Sequence, residues 1–145
     1  MRLSPWGGFG GMEDSDPGAP FDHVASELGA RGLACLHAVE PRADQNSGTN
    51  ALDPDAPSRS KARFGGPVIA AGGFTRDTAA EAVASGAADA VAFGRLFIAN
   101  PDLPERFRRG APLNRYDRST FYGGGARGYT DYPALGAGDR RSDAA

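Results

Sequence analysis

The sequence predicts an α/β fold of parallel strands with helices packed outside them. Three observations lead there. Short apolar runs of strand length alternate with stretches of helical periodicity. The helical stretches open on capping residues and close on glycine. The runs PVIAAGGF and DAVAFG read as buried strands.

In chain order, Leu3 and its neighbours in MRLSPWG read like the end of a strand running into a turn at Ser4-Pro5. Only Met1 and Arg2 stand before Leu3, whereas a strand needs about five residues to pair properly. Either the chain begins oddly or something that belongs in front is missing. DPGAPFDHVASELGARG is a helix, with Asp16 as N-cap and Pro17 at the first helical position. Phe21, Val24, Ala25 and Leu28 follow at i, i+3, i+4 and i+7 as one apolar stripe, and Gly32 is placed to end it. LACLHAV is a strand. Residues 40–57 form a polar loop, and 58–64 make one weak helical turn in a segment (54–66) that is a poor helix by pattern. PVIAAGGF is a buried strand ending in a double glycine. TRDTAAEAVASGA is a helix capped by Thr75 and stopped near Gly86, and DAVAFG is another buried strand. NPDLPERFRRG repeats the punctuation, with Asn100 as cap, Pro101 at the first position and Gly110 as stop. The order β-α-β-(α)-β-α-β-α is that of parallel strands with crossover helices.

Composition narrows the function classes. At 145 residues the chain suits one ordinary core, and 40% hydrophobic with 23% charged residues is the range of globular proteins. A net charge of -2 gives no reason to expect nucleic acid or an anionic membrane surface as partner. No apolar run approaches the roughly 18 residues of a membrane span, and no apolar leader is visible at the N-terminus. The single cysteine, Cys35, forms no internal disulfide, so a cytoplasmic location is expected, and its place in LACLHAV reads as a buried small hydrophobe. His37 reads as a hydrogen-bonded core histidine, Glu40 as a loop organiser before Pro41 and Arg42, and His23 as solvent-facing. No residue stands out as catalytic, and no metal-ligand spacing occurs.

The chemistry gathers at strand C-termini. One strand ends in Gly72-Gly73 and the next in Gly94-Arg95, one α/β unit apart. In a parallel barrel, adjacent strand ends share a rim where consecutive βα-loops commonly hold a phosphate. Glycine lets backbone N–H groups approach phosphate oxygens, and arginine adds a fixed fork of donors. Tight turns and a solvated Arg95 at a helix start would produce the same pattern, so spacing alone leaves both readings open.

Longer phrases carry more. GPVIAAGGFTRDTAAEAVASGAADAVAFGRLFIANPDLPERFRRGAPLNRYDRSTFYGGGARGYTDYP resembles the C-terminal half of the Old Yellow Enzyme family, the FMN-dependent NAD(P)H:flavin oxidoreductases or ene-reductases. RLSPWGGFGGMEDSDP and LACLHAVEPR match the preceding segments in order, so the resemblance covers residues 2 to 133. It implies the C-terminal half of a (β/α)8 TIM barrel, about four βα units, with FMN at the C-terminal rim. Arg2 matches the arginine that reaches the flavin near its N1/O2 edge, where a cation stabilises negative charge on the reduced ring. Gly72 and Gly73 match the backbone that approaches the FMN phosphate, and Gly94 and Arg95 its main phosphate contacts. Phe121 and Tyr122 match the aromatic pair near the flavin ring and substrate pocket; Trp6 is a weaker candidate, and Tyr129 and Tyr132 read as packing.

The departures are equally informative. The family's His/Asn or His/His substrate pair and its proton-donating tyrosine have no matching positions here. A whole barrel takes about 250 residues. MRLSPWG therefore looks like the truncated fifth strand of an eight-stranded barrel, residues 1–133 like the C-terminal half of an FMN-binding domain, and residues 134–145 like a disordered tail. A half-barrel leaves edge strands and an open apolar face, so the expected partner is a complementing N-terminal half or a second copy, besides a small-molecule acceptor. The resemblance implies hydride transfer from NAD(P)H through FMN to an electron-poor alkene or similar acceptor. The alternative is a non-catalytic half-barrel that binds FMN or another phosphorylated ligand.

Overall fold

The computed structural model describes residues 1–5, 14–39 and 55–136. The chain forms two compact units, Met1–Ala92 and Phe93–Ala145. Strands β1 (Arg2–Leu3), β2 (Leu36–Val39), β3 (Val68–Ala71) and β4 (Ala90–Ala92) make one sheet in the order β1-β2-β3-β4, parallel throughout. Helices α1 (Gly18–Ala30), α2 (Ala56–Phe64) and α3 (Arg76–Ala84) are the crossovers that parallel pairing demands. The sheet is the α/β arrangement the sequence predicts, in the strand order of half a barrel.

Register sorts the side chains. Leu3, Ala38 and Ala70 stand in one row and Leu36 and Val68 in another, and this face carries the core: Ala25, Leu36, Ala38, Phe64 and Val68, with Leu3, Leu28 and Leu33 packed against it. The opposite face carries Arg2, His37, Ile69 and Ala90 in one row and Val39, Ala71 and Ala92 in the next. These residues are half-buried or exposed. The strands are thus buried on one face rather than two, because the core cluster joins α1 and α2 to only one side of the sheet.

In α1 the boundary shifts by one residue without changing the capping chemistry. The helix starts at Gly18, and the Asp16 carboxylate accepts from the Gly18 and Ala19 N–H groups at 3.1 and 3.4 Å. Gly32 (φ 68°) ends it, with Gly32 N–H donating to Gly29 O and Leu33 N–H to Leu28 O, the paired bonds of a left-handed C-cap. Ala25 is buried, Phe21 and Leu28 are half-buried, but Val24 is exposed. The stripe is centred nearer Asp22 and Gly29 than apolar counting suggests, because those two residues meet α2.

That contact explains why α2 is a nine-residue helix rather than one weak turn. Arg59 and Arg63 both reach the Asp22 carboxylate, at 3.3 and 3.2 Å, and Phe64 is buried against α1 and β2. Lys61 donates to Gly86 O and Asp89, and the other Asp89 oxygen accepts the Val68 N–H at 2.8 Å. Tertiary partners override weak local propensity here. Gly29 lets the helices approach: a Cβ there would lie 2.2 Å from Phe64 O. Gly29→Ala should therefore destabilise by about 1–3 kcal/mol, outweighing the roughly 1 kcal/mol that alanine gains in a helix, as a lower urea midpoint would report. α3 starts on the expected Thr75, in a capping box with Thr78.

The second unit contains α4 (Arg95–Ala99), α5 (Leu103–Arg109) and a 3-10 turn (Arg118–Thr120). Asp102, not Asn100, occupies the N-cap position of α5. Asn100 is fully buried instead: its Nδ2 donates to Leu96 O at 2.8 Å and its Oδ1 accepts the Asn114 N–H at 2.7 Å. A side-chain amide can donate and accept at once, so it staples two segments where a cap would only accept. Buried Arg106 donates to Asp102 Oδ1 (2.7 Å), Pro112 O (2.6 Å) and Pro133 O (2.8 Å), while Asp102 Oδ2 accepts the Leu135 N–H. Gly110 (φ 63°) ends α5 as expected. Of the segment 134–145, residues 137–145 lie outside the described residues.

Candidate functional site

Parallel strands place all their C-terminal ends along one sheet edge. β3 runs there into Gly72 (φ 133°) and Gly73 (φ 77°), both in conformations that side chains avoid. Buried Phe74 then anchors the turn before Thr75 opens α3. Arg2 stands on β1, exposed, on the sheet face opposite the core and in register with His37. Burial first, and the Arg2 charge after it, hold the His37 ring below the usual histidine range. Its Nε2 is buried without a hydrogen-bond partner among the described residues, so no bond at that nitrogen is seen for the hydrogen-bonded core histidine read from sequence.

After β4 the chain passes through Phe93 to Gly94, the N-cap of α4. The Gly94 φ is −96°, and an added Cβ would meet nothing within 4 Å. Among the described residues, neither a left-handed backbone nor a packed neighbour calls for glycine here. Arg95 is half-buried, its Cζ 5.7 Å from the centre of the Tyr116 ring. Tyr116 lies 5.7 Å from Phe121, and Phe121 meets Tyr122 edge-on at 6.3 Å. Arg95, Phe121 and Tyr122 are thereby linked in one chain of contacts. Sequence reasoning missed the link, Tyr116, because its five-residue spacing to Phe121 belongs to no helix or strand face. Tyr122 is 97% exposed and Phe121 half-buried, so the aromatic pair offers open ring surface. A recess of about 400 Å³ beside them is lined by Leu96, Leu113, Asn114, Arg115 and Tyr116.

The remaining candidates separate cleanly. Cys35 is half-buried rather than buried, and His23 is exposed. Tyr132 does more than pack: its hydroxyl accepts the Asp117 N–H at 2.9 Å. Trp6, Glu40, Pro41 and Arg42 lie outside the described residues. Among the described residues no three histidine, cysteine or acidic side chains gather as a metal site, and no helix is long and apolar enough to cross a membrane.

The rice (Oryza sativa subsp. japonica) 12-oxophytodienoate reductase 1 is 47% identical over 145 residues, covering 98% of this chain and 38% of that protein. The structure of morphinone reductase is 47% identical with a TM-score of 0.82, over 94% of this chain and 36% of that one; in its complex with tetrahydroNAD the TM-score is 0.80. The old yellow enzyme homologue from Zymomonas mobilis is 38% identical with a TM-score of 0.83, over 92% of this chain and 38% of its own. The chain spans 35% of the length of one curated relative and 44% of another. The family described as NADH:flavin oxidoreductase / NADH oxidase matches residues 1–114. With that match, the parallel sheet and the glycine-arginine turn after β4, the chain belongs to the NADH:flavin oxidoreductase / NADH oxidase family.

Proposed function

We propose that residues 1–133 are the FMN-holding C-terminal half of an NAD(P)H-dependent oxidoreductase of the old yellow enzyme kind. Bound FMN supplies the hydride chemistry, between NAD(P)H and an electron-poor alkene or similar acceptor. The observation that carries the reading is Gly94, where an added Cβ would meet nothing within 4 Å among the described residues, followed directly by Arg95. Backbone N–H groups at Gly72, Gly73 and Gly94 approach phosphate oxygens, and the Arg95 fork adds charge-assisted bonds while Tyr116 limits its rotation. Arg2 presents a cation to the flavin's N1/O2 edge. Phe121 and Tyr122 supply aromatic surface to the ring and the acceptor. The rest of the pocket comes from a complementing N-terminal half or a second copy. The tetrahydroNAD complex of morphinone reductase supports a nicotinamide reductant.

Titration of FMN into the full chain, followed by flavin fluorescence, tests this reading. Arg95→Ala should weaken binding by about 1.5–3 kcal/mol, on the order of 10- to 100-fold. Unchanged affinity would remove the phosphate role. A second reading is a half-barrel that binds FMN without chemistry. FMN-dependent NAD(P)H oxidation, alone or with an N-terminal half supplied, would exclude it.

A further inference from the structure

The recess of about 400 Å³ in the second unit is lined by Leu96, Leu113, Asn114, Arg115 and Tyr116, and Arg95 is not part of its wall. Its volume falls in the range of small-ligand pockets, about 300–1,000 Å³. Buried polar side chains hold the backbone around it. Fully buried Asn100 donates to Leu96 O at 2.8 Å and accepts the Asn114 N–H at 2.7 Å. Asn114 Nδ2 donates to Ala99 O and Pro133 O, each at 2.8 Å, and Pro112 O accepts from buried Arg106 at 2.6 Å. Tyr116 is flanked by Phe121 and by the Arg95 guanidinium, each at 5.7 Å. The walls are thus formed in advance, which lowers the ordering cost of binding.

The wall is apolar except at one charged group. Leu96 is half-buried, and Leu113 and Tyr116 keep more than a third of their surface open. The Arg115 side chain is exposed and makes no hydrogen bond or ion pair among the described residues. In this it differs from Arg106, Arg108 and Arg109 of α5, which all pair with Asp102 or Glu105. We propose that this recess is a second ligand site, separate from the FMN phosphate turn, for a small anion with a flat apolar body, an aromatic carboxylate above all. The Arg115 fork takes the two carboxylate oxygens, a planar match that an ammonium does not offer. Leu96, Leu113 and the Tyr116 ring cover the body of the ligand.

Naphthoate titrated into the ¹⁵N-labelled full chain tests the site, with naphthamide as a probe of the same shape and no charge. Naphthoate should shift the amides of Leu96, Leu113, Asn114, Arg115 and Tyr116 saturably, and FMN added afterwards should leave those shifts in place. Naphthamide should bind on the order of 10- to 100-fold more weakly. Arg115→Gln should weaken naphthoate by a similar factor and leave naphthamide unchanged, while Arg115→Lys recovers only part of the loss. Because Arg115 has no partner to lose, amides away from the recess should keep their positions in both variants. Equal affinity for the two probes, naphthoate binding that ignores Arg115→Gln, or the lack of any saturable shift overturns the proposal. Displacement of naphthoate by FMN would assign the recess to the flavin site and overturn it as well, while supporting the FMN reading.

Discussion

Arg106→Leu is expected to loosen the second unit by about 3–5 kcal/mol, the range for removing one partner of a buried ion pair. The Arg106 side chain is 5% exposed and makes three hydrogen bonds. Leucine fills part of the space but leaves the Pro112 carbonyl without its Arg106 donor, the Pro133 carbonyl with Asn114 Nδ2 alone, and the Asp102 carboxylate without its cation. Amide hydrogen exchange across residues 103–135 should therefore accelerate on the order of 10²- to 10⁴-fold, while residues 68–92 exchange as before. Acid should imitate the substitution. Burial pushes the Asp102 carboxyl up, but the Arg106 bond and the Leu135 N–H bring it, on balance, below the ordinary aspartate value. A depressed folded value means this contribution is complete above the unfolded aspartate pKa of about 3.9 and disappears as pH falls through the lower folded one.

Phe64→Ala is expected to cost about 3–5 kcal/mol in the first unit. Phe64 is 5% exposed and sits in the core with Ala25, Leu36, Ala38 and Val68. Its partners are small or fixed in the sheet, so they cannot collapse far into the space a ring would leave. Its carbonyl side also faces Gly29, which ties the end of α2 to α1. Urea unfolding followed by far-ultraviolet circular dichroism should show a lower midpoint. A loss under about 1 kcal/mol, the scale of an ordinary surface-to-core average, would mean that Phe64 is not the keystone of this core.

Elements set by local chemistry were legible in the sequence. The runs LHAV, VIAA and AVA are strands, Thr75 caps α3, and Gly32, Gly86 and Gly110 stand at helix ends with positive φ. Elements set by distant partners were not. α2 depends on Asp22, which lies 37 residues before Arg59 and 41 before Arg63. Asn100 looks like a helix cap until Asn114, 14 residues on, is seen to occupy its oxygen. The same division runs through the candidate site. Gly94 and Arg95 could be named from their place after an apolar strand, yet the sequence could not separate a ligand-facing glycine from a turn glycine. At Gly94 the structure adds only that an extra Cβ would meet nothing within 4 Å among the described residues. Arg95 and Phe121 could be named, but not that Tyr116 lies between them.

The sheet order β1-β2-β3-β4 repeats the order of the chain, and this bears on how the first unit assembles. Each ladder joins strands separated by a single crossover, so no pairing must wait for a more distant one, and loop-closure entropy grows only slowly with crossover length. The β2–β3 ladder has four register pairs, against three for β3–β4 and two for β1–β2. It is also the ladder whose crossover, α2, contributes Phe64 to the core. A nucleus there could extend outward one strand at a time, in either direction. Growth by repeated addition of one strand and one helix gives a sheet whose size is set by how many units join it, rather than by a closed topology that must form all at once.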